Sequence, residues 1–487
     1  MNFISTRNKE EILNSAQAII KGLSNSGGLY VPEEFPNLTG ELERLKKLDY
    51  QDLAIEIINN FFEDLGKENI KKAVDNAYKD KFWVELNNNF LELYHGPTSA
   101  FKDAALLFLP QIMKVAKKQL NVKEDIVILA ATSGDTGKAA LEGFKDVDGL
   151  KVMVFYPKEG VSDIQKYQMI TQDGENVSVI AIEGNFDDAQ RGVKEIFSNN
   201  KLRDKLKEKS ILLSSANSIN IGRLIPQIVY YFYGYFDLIN KNCINSGEKI
   251  NVVVPTGNFG NILAAYYAKK MGLPINKFIC ASNENNVLTD FIGTGIYDKR
   301  RELILTKSPS MDILISSNLE RLLFELCDRD DKEVIKFMND LESKGTYEIN
   351  NNMREKMSDF YGYYSKEEDI LKDIREVFEK KNYLMDTHTA VAYGAYKQYY
   401  NDTNDDTISL IVSTASPFKF TKSIMEALNQ DIDNKDDFQL LEDLSKISNL
   451  EIPVGLKNLD KKKVLHHLES SKENMKDLIL NILEIDK

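Results

Sequence analysis

The sequence predicts an α/β fold in which mostly parallel sheets are covered by helices. Two observations support this prediction. Short apolar segments rich in β-branched residues alternate with helical patterns, and loops rich in glycine and hydroxyl groups directly follow three of these segments. Unbroken apolar strands that alternate with helices are typical of a buried parallel sheet. The predicted strands are residues 126–132, 152–156, 177–182, 251–255, 277–281 and 408–414, and predicted helices include residues 137–144, 186–198 and 261–271.

The chain divides by pattern into three predicted units. Residues 1–84 are mainly helical, with a turn at SNSGGLYVPEEFP. Residues 85–430 carry the strand–helix alternation and form two α/β subdomains, with a charged helical insertion at about 297–382. Residues 431–487 form a helical carboxy-terminal extension. Because ligands of open parallel sheets bind beyond the carboxyl ends of the strands, we expect the binding site there, between the subdomains.

Composition disfavours several classes of function. The 487 residues carry a net charge of −13, which disfavours nucleic-acid binding. No apolar run of about 18 residues is present, and the polar first residues are not typical of a signal peptide, so we expect no membrane span and a cytoplasmic location. Three separated cysteines and only four histidines form no ligand pattern, so we expect no metal.

The loop TSGDTGK is similar to a nucleotide-binding P-loop only superficially. Thr132 stands where that motif needs its first glycine, and Ala139 stands where it needs serine or threonine. The segment GNFGN likewise lacks the spacing of a dinucleotide-binding fingerprint. Nucleotide hydrolysis and hydride transfer are therefore disfavoured.

Lys102 stands in YHGPTSAFKDAALLF, at the start of an apolar helical pattern. One interpretation is a lysine that extends to solvent. The other is a desolvated amine near the positive end of a helix, where both effects lower the pKa and leave a nucleophile that can form a Schiff base. This segment alone leaves both interpretations open.

Four other segments offer groups for anions or polar atoms, although each can also be a simple turn or helix cap. The loop at 255–261 has glycines and free amides that suit a phosphate. The loop at 132–136 offers hydroxyls and amides at a helix start, which suits a carboxylate. Ser218 and Arg223 in SANSINIGR suit a second phosphate or a carboxylate. Thr414 ends an apolar strand, so we expect its hydroxyl in the strand-end crevice.

Together these segments resemble those of the threonine synthase family, which are fold type II pyridoxal-phosphate enzymes related to tryptophan synthase β. The resemblance covers most of the chain, through STRN, SGGLYVPEEFP, HGPTSAFKD, ATSGDTG, YPKEGVSDIQKYQM, SANSINIGR, PTGNFGN, THTAVAYGAY and STASPFKF. HGPTSAFKD together with SANSINIGR is specific to threonine synthases, whereas the more general segments indicate only fold type II.

The resemblance implies a role for each candidate residue. The cofactor would be pyridoxal 5'-phosphate, with Lys102 as its Schiff-base lysine and Thr414 as the hydroxyl that faces its pyridine nitrogen. The residues that resemble the cradle of the cofactor phosphate are Gly257, Asn258, Phe259, Gly260 and Asn261. Those that resemble the site of the substrate carboxylate are Thr132, Ser133, Gly134 and Thr136, and those that match the site of the substrate phosphate are Ser218 and Arg223.

Two positions depart from the pattern of many relatives. Asp135 stands where many relatives have an asparagine that bonds the ring oxygen of the cofactor. A carboxylate there would repel the phenolate, so we expect Asp135 to point elsewhere or to be protonated. Ser416 stands where some relatives have histidine, and we assign that position no role.

The resemblance implies an enzyme that converts O-phospho-L-homoserine and water to L-threonine and phosphate, by γ-elimination and β-addition of water. It would act on this small molecule as a monomer or homodimer, without nucleic acid or membrane. Two alternatives stay open. One is a related lyase, such as a threonine or serine dehydratase or a phosphohomoserine phospho-lyase, and the other is a pseudoenzyme on the same fold.

Overall fold

A computed structural model describes residues 1–132, 134–158 and 161–485. In these residues the strands are β1 (Asn2–Ser5), β2 (Asn8–Asn14), β3 (Tyr30–Pro32), β4 (Trp83–Asn87), β5 (Phe90–His95), β6 (Asp125–Ala131), β7 (Leu150–Pro157), β8 (Val177–Ile182), β9 (Ile211–Ser215), β10 (Ile250–Pro255), β11 (Ile275–Ser282), β12 (Ile296–Asp298), β13 (Thr346–Glu348), β14 (Phe360–Tyr364), β15 (Ser409–Ser413) and β16 (Leu468–Ser470). The α-helices of the same residues are α1 (Ser15–Lys21), α2 (Leu42–Leu45), α3 (Tyr50–Phe62), α4 (Lys67–Tyr78), α5 (Asp103–Leu106), α6 (Phe108–Gln119), α7 (Asp135–Phe144), α8 (Asp163–Ile170), α9 (Phe186–Ser198), α10 (Asn200–Glu208), α11 (Ile221–Asn240), α12 (Gly260–Lys270), α13 (Val287–Thr294), α14 (Leu319–Leu326), α15 (Asp331–Ser343), α16 (Asn351–Lys356), α17 (Glu367–Lys381), α18 (Thr387–Thr403), α19 (Thr421–Ala427), α20 (Asp437–Ser448) and α21 (Met475–Ile482).

Two mostly parallel sheets form the body of the protein. The larger sheet has the strand order β14-β11-β10-β15-β5-β4, and its edge strand β4 runs antiparallel to β5. The smaller sheet has the order β16-β8-β7-β6-β9, and all its described neighbours are parallel. The predicted α/β fold with mostly parallel, helix-covered sheets is therefore confirmed.

The central strands of both sheets are apolar along nearly their whole length. Strand β10 is buried at every position, and β6 is buried except at its two ends. Val252 of β10 pairs with Leu410 of β15, and Val412 of β15 pairs with Leu91 of β5. β-branched side chains fit such a pleated surface, and full burial of a valine contributes about 1.5–3 kcal/mol to stability.

Helix α11 connects the amino-terminal helices to the larger sheet's helical layer. It is buried along most of its length and packs against α3, α5 and α12. Asn220 begins it, because its side-chain oxygen accepts a hydrogen bond of 2.9 Å from the Gly222 amide. The Asn220 amide also donates to the Ile19 carbonyl at 2.9 Å, which fixes α1 against the start of α11.

The amino-terminal region is less uniformly helical than the sequence predicts. Strands β2, β1 and β3 form a small antiparallel sheet before the helices. Arg7, in the turn after β1, makes an ion pair of 2.6 Å with Glu320 of α14, and Thr6 donates a hydrogen bond to the same carboxylate. This buried carboxylate therefore ties the first strand to a segment more than 300 residues later.

The predicted helical insertion at about 297–382 and the predicted helical tail both contain strands. Within the insertion, β13 pairs with β12, and β14 forms one edge of the larger sheet. In the tail, β16 pairs with β8 and so forms one edge of the smaller sheet. These strands have only three to five residues between charged helical patterns, which is too short for a clear period-two signal. No α-helix among the described residues is long and apolar enough to cross a membrane.

Candidate active site

The candidate residues lie in loops and at the first turns of helices that follow neighbouring strands. In the larger sheet, β10, β15 and β5 are adjacent and parallel, so the loop at 255–261, Thr414 and the segment before Lys102 share one sheet edge. In the smaller sheet, β6 and β9 are adjacent, which brings the loop at 132–136 near the segment before Arg223. The ion pair between Lys102 and Asp135 joins the two edges.

Lys102 is largely buried where these two edges meet. Its side chain is 11% exposed, and its amine lies 3.3 Å from Oγ of Ser310 and 3.6 Å from Oδ2 of Asp135. Burial lowers the pKa of Lys102, the charge of Asp135 opposes this effect, and the positive charges of Lys419 and Arg223 add to it. The structure thus excludes the interpretation in which this lysine extends to open solvent.

The backbone before Lys102 is fixed to the segment after β15. The Phe101 amide donates to the Thr414 carbonyl at 2.8 Å, and the Ser416 amide donates to the Ser99 carbonyl at 3.1 Å. Thr414 itself is 5% exposed, and its hydroxyl makes no hydrogen bond to another described residue. Its position beside Lys102 therefore leaves a hydroxyl available to a ligand.

Asp135 is buried between two lysines. Its Oδ1 lies 2.7 Å from the amine of Lys419 and accepts a hydrogen bond of 2.9 Å from Gln165. Burial by itself would raise the pKa of Asp135, but the charges of Lys419 and Lys102 outweigh it and hold the pKa well below its usual value. Of the two alternatives expected for Asp135, that it points elsewhere or is protonated, the lowered pKa disfavours protonation, because two cations rather than apolar groups surround the carboxylate.

The loop at 255–261 approaches other backbone segments closely. A Cβ atom on Gly257 would lie 2.7 Å from the carbonyl oxygen of Ser310, so only glycine fits. Phe259 is buried in the left-handed backbone region with φ of 60°, and α12 begins at the next residue, Gly260. A non-glycine residue in this region is strained by about 1–3 kcal/mol, and such strain concentrates at functional sites. Ser310, which contacts Lys102, also lies against this loop.

The side-chain amide of Asn261, near the start of α12, has an N–H donor without a partner among the described residues. Its side-chain oxygen accepts hydrogen bonds from the hydroxyls of Tyr230 at 2.6 Å and Tyr231 at 2.5 Å. Its Nδ2 atom is buried and has no hydrogen-bond partner in the described structure. A buried unpaired amide is costly, which is consistent with a ligand as its partner.

The loop at 132–136 uses part of its hydrogen-bonding capacity internally. The Thr132 hydroxyl accepts hydrogen bonds from the amides of Gly134 at 3.0 Å and Gly137 at 2.9 Å. The Gly134 amide is thus already engaged, whereas Thr136 is partly exposed at the start of α7. Ser133 lies outside the described residues.

Arg223 is a buried cation without an acidic partner in the described structure. It is 4% exposed, and one Nη donates to the Ala216 carbonyl at 2.5 Å, while its Nε has no partner. Burial lowers the pKa of Arg223 to about 10. Ser218 lies nearby in sequence and accepts a hydrogen bond of 3.1 Å from Asn318.

Sequence reasoning missed Ser310, Asn318 and Lys419. Lys419 stands in STASPFKF and is fully buried, with its amine 2.8 Å from the Thr98 carbonyl. Ser416 has a structural part here, because its hydroxyl accepts from the Phe418 amide and so begins the turn that carries Lys419. The only signal in the sequence was a lysine flanked by apolar residues, and Ser310 and Asn318 carried none.

Among the described residues, one cluster of side chains bears on the prediction that the protein binds no metal. Ligand atoms of Glu85, Glu92 and His95 lie within 4.8 Å of one another. Nε2 of His95 is 2.7 Å from Glu92, so the histidine nitrogen is already hydrogen-bonded. The absence of a metal stays a prediction.

Comparisons with known proteins match most of the chain. Family models for the threonine synthase N terminus, for pyridoxal-phosphate dependent enzymes and for the threonine synthase C-terminal region match residues 2–78, 90–343 and 389–478. Threonine synthase of Eremothecium gossypii is 35% identical over 485 residues, which are 92% of this chain and 93% of that protein. The chain belongs to the threonine synthase family.

Other members of the threonine synthase family extend the comparison. The crystal structure of threonine synthase with bound pyridoxal phosphate from Brucella melitensis has a TM-score of 0.87 and 32% identity and covers 99% of both chains. Threonine synthase-like 1 of Pongo abelii is 41% identical over 456 residues, which are 88% of this chain. The chain spans 60% of the length of that relative. The resemblance to threonine synthases and the fold type II architecture are confirmed.

The residues of this threonine synthase family member fit pyridoxal phosphate, its cofactor. A buried amine with a lowered pKa suits the cofactor's aldehyde, and Lys102 supplies it. The glycine-containing loop and the start of α12 suit its phosphate, next to the unpaired Asn261 amide. The Thr414 hydroxyl suits a ring nitrogen.

Proposed function

We propose that this protein is a lyase that converts O-phospho-L-homoserine and water into L-threonine and phosphate. The observation that carries the proposal is a buried amine, Lys102, flanked by two separate groups of anion donors. One group is the loop at 255–261, and the other is Arg223 with Ser218. A cofactor phosphate and a substrate phosphate require two such groups. Membership of the threonine synthase family supports the same reaction.

Lys102 is proposed to hold the cofactor and then to act as general base. Pyridoxal phosphate, when bound, would supply an electron sink for the pair that remains when the α-proton of an amino acid is removed. The amine of Lys102, when it is not bonded to the cofactor, would take that proton as general base. Burial lowers the pKa of Lys102, so a larger fraction of the amine is unprotonated at neutral pH than in water.

Thr414 and Asp135 are proposed to orient this chemistry. A threonine hydroxyl does not keep the pyridine nitrogen protonated, which favours elimination over transamination. The carboxylate of Asp135, 3.6 Å from the amine of Lys102, would orient that amine rather than bond the ring oxygen as asparagine does. In this proposal the charge of Lys419 cancels much of the repulsion between Asp135 and an anionic ring oxygen.

The substrate is proposed to be held at its two anionic ends. We propose that the loop of Thr132, Ser133, Gly134 and Thr136 binds its carboxylate with the Thr136 hydroxyl and the dipole of α7, because the Gly134 amide already donates to Thr132. Arg223 binds the phosphate and stabilises the charge that develops as it leaves the γ-carbon. A proton would leave the β-carbon as phosphate departs from the γ-carbon, and the γ-carbon would then take up a proton to become the methyl group. The hydroxyl of water would add at the β-carbon and a proton would return to the α-carbon, which gives threonine, while the remaining proton leaves with phosphate.

Product analysis distinguishes this proposal from its alternatives. The holoenzyme is incubated with O-phospho-L-homoserine, and threonine, phosphate and 2-oxobutyrate are measured, with Lys102→Ala as the control. We expect equal amounts of threonine and phosphate without 2-oxobutyrate. Release of 2-oxobutyrate with phosphate would favour the phospho-lyase, and absence of any product would favour the pseudoenzyme.

The remaining features are part of the same proposal. We propose the division into residues 1–84, 85–430 and 431–487; the family match at 389–478 begins inside the middle unit. We also propose a cytoplasmic monomer or homodimer that binds a small molecule and no nucleic acid, which the net charge of −13 supports.

A further inference from the structure

The side-chain amide of Asn318 has an orientation that its partners determine. Nη1 of Arg321 donates to its Oδ1 at 2.5 Å, and its Nδ2 donates to the Asn258 carbonyl at 2.9 Å. A guanidinium can only donate, and a carbonyl can only accept. The oxygen of the amide must therefore face Arg321, and its nitrogen must face the loop at 255–261.

This orientation determines the role of the Ser218 hydroxyl. Nδ2 of Asn318 lies 3.1 Å from Oγ of Ser218, so the serine oxygen accepts this hydrogen bond. Among residues 1–132, 134–158 and 161–485, the structure records no acceptor for the hydroxyl proton of Ser218. Ser218 is half-buried, and a Cβ atom on Gly260 would lie 4.0 Å from its Cβ. Its proton is therefore free for a ligand beside this loop.

Arg321 places a positive charge next to the hydrogen-bonded pair of Asn318 and Ser218. Its side chain is fully buried and donates to the carbonyls of Tyr30 at 2.9 Å and Ile219 at 2.5 Å. No described acidic side chain forms an ion pair with it. Burial lowers the pKa of Arg321 to about 10. Charge-assisted donation polarises the Asn318 amide, which strengthens its hydrogen bond to Ser218.

We propose that Asn318 and Arg321 are positioning residues that make Ser218 an obligatory donor to the phosphate of the substrate. The chain of donors runs from Arg321 through Asn318 to Ser218 and ends on a phosphate oxygen. Such a donor favours an ester whose oxygens only accept and disfavours an unphosphorylated hydroxyl, which leaves a buried partner unpaired. This inference rests on the phosphate site of the proposed function.

The substitution Asn318→Asp replaces the amide that donates to Ser218 by an oxygen that accepts, with little change of side-chain shape. A carboxylate can only accept, so the Ser218 hydroxyl would turn to donate to residue 318 and lose its proton for the ligand. Ser218→Ala removes the hydroxyl outright. The two substitutions and their combination form a double-mutant cycle. Asn339→Asp, at an exposed position in α15, controls for the added negative charge.

The measurement is the affinity of each holoenzyme for inorganic phosphate by titration calorimetry, with the cofactor content of every sample determined from its absorbance. We expect Asn318→Asp to weaken binding about tenfold or more in the natural background, because a hydrogen bond to a charged group is lost. In the Ser218→Ala background the same change should have less than about a twofold effect. Asn339→Asp should bind like the natural protein.

Three outcomes are informative in different ways. Equal losses in both backgrounds would overturn the inference, because Asn318 would then act on the loop and not through Ser218. Unchanged affinity in Asn318→Asp would overturn it as well. If neither Ser218→Ala nor Arg223→Gln weakened phosphate binding, the phosphate site of the proposed function would fail first.

Discussion

The amine of Lys419 lies 2.7 Å from Oδ1 of Asp135, and neither side chain is more than 3% exposed. Asp135 in turn lies 3.6 Å from the amine of Lys102, so one carboxylate serves two buried lysines. Lys419 also donates to the Thr98 carbonyl, four residues before Lys102. The Lys419–Asp135 pair therefore connects the segment after β15, the start of α7 and the segment that carries Lys102.

Asp135→Asn leaves Lys419 charged and buried without a counter-ion. We expect the free energy of unfolding to fall by about 3–5 kcal/mol, measured by denaturant titration. Adding Lys419→Met removes the unpaired charge, so the double variant should recover part of this loss. A double variant as unstable as the single one would contradict the account. Asp443→Asn, which breaks two ion pairs at the surface with Lys435 and Lys446, serves as the control and should change stability little.

Arg223→Gln should remove the response of the protein to phosphate. A ligand that binds only the folded state at 100 times its Kd stabilises that state by about 2.7 kcal/mol, which raises Tm. We expect phosphate to raise the Tm of the natural holoenzyme and to leave the Tm of Arg223→Gln nearly unchanged. Arg203→Gln, at an exposed arginine, should respond like the natural protein. Equal phosphate-induced shifts in all three would exclude Arg223 from the site.

Asp103 should make stability depend on pH. Its side chain is fully buried, and burial raises its pKa to about 7, although hydrogen bonds from Thr98 oppose this effect. Because the pKa of Asp103 is higher in the folded state, its contribution to the free energy of unfolding is complete below the unfolded pKa of about 4. This contribution is lost as pH rises towards 7.

Between pH 4 and pH 7, titration of Asp103 should lower the free energy of unfolding by up to about 1.4 kcal/mol per pH unit. Asp103→Asn removes this titration, so the difference in unfolding free energy between the variant and the natural protein should shift in favour of the variant between pH 4.5 and pH 7.5. Asp148→Asn, at an exposed position, should show no such shift. Parallel pH profiles for the Asp103 variant and the natural protein would show that this carboxyl does not titrate as described.

Gly455 should be required for the carboxy-terminal tail to pack near the active site. A Cβ atom there would lie 2.0 Å from the carbonyl oxygen of Pro97, in the loop that leads to Lys102. We expect Gly455→Ala to lower the free energy of unfolding by about 1–3 kcal/mol, because the backbone must move. Gly293→Ala, where no atom lies within 4 Å of the added carbon, is the matched control. A similar effect of both substitutions would contradict tight packing at Gly455.

The sequence predicted those elements whose signal is local. The predicted strand at 177–182 and helix at 186–198 coincide with β8 and α9. An apolar run predicts the strand and a capped amphipathic pattern predicts the helix, and both signals lie within the segment itself. Strand β16 has only three residues, two of them exposed, and becomes a strand because β8 lies beside it. Its pairing depends on tertiary structure and leaves no local pattern.

In the candidate site, too, the residues with a local sequence signal were predicted and those that depend on tertiary contacts were not. Lys102 and the loop at 255–261 have neighbours in sequence that indicate their chemistry, and the structure brings Lys102 and this loop together through Ser310. Lys419 contacts Thr98, and Asn318 contacts Ser218, and each of these partners is 100 or more residues away. The charge state of Asp135 could not be predicted without Lys419, because burial and ion pairing shift its pKa in opposite directions.

The most direct test identifies the lysine that carries the cofactor. The holoenzyme is reduced with borohydride, which fixes the carbon–nitrogen bond between cofactor and lysine, and the pyridoxyl group is located by peptide mass spectrometry. Lys419 and Lys138 are buried lysines that serve as internal controls. We expect the group on Lys102 alone, together with loss of visible absorbance and a fall in turnover of at least about 10²–10⁴-fold in Lys102→Ala. A pyridoxyl group on Lys419, Lys138 or any other lysine would contradict the account.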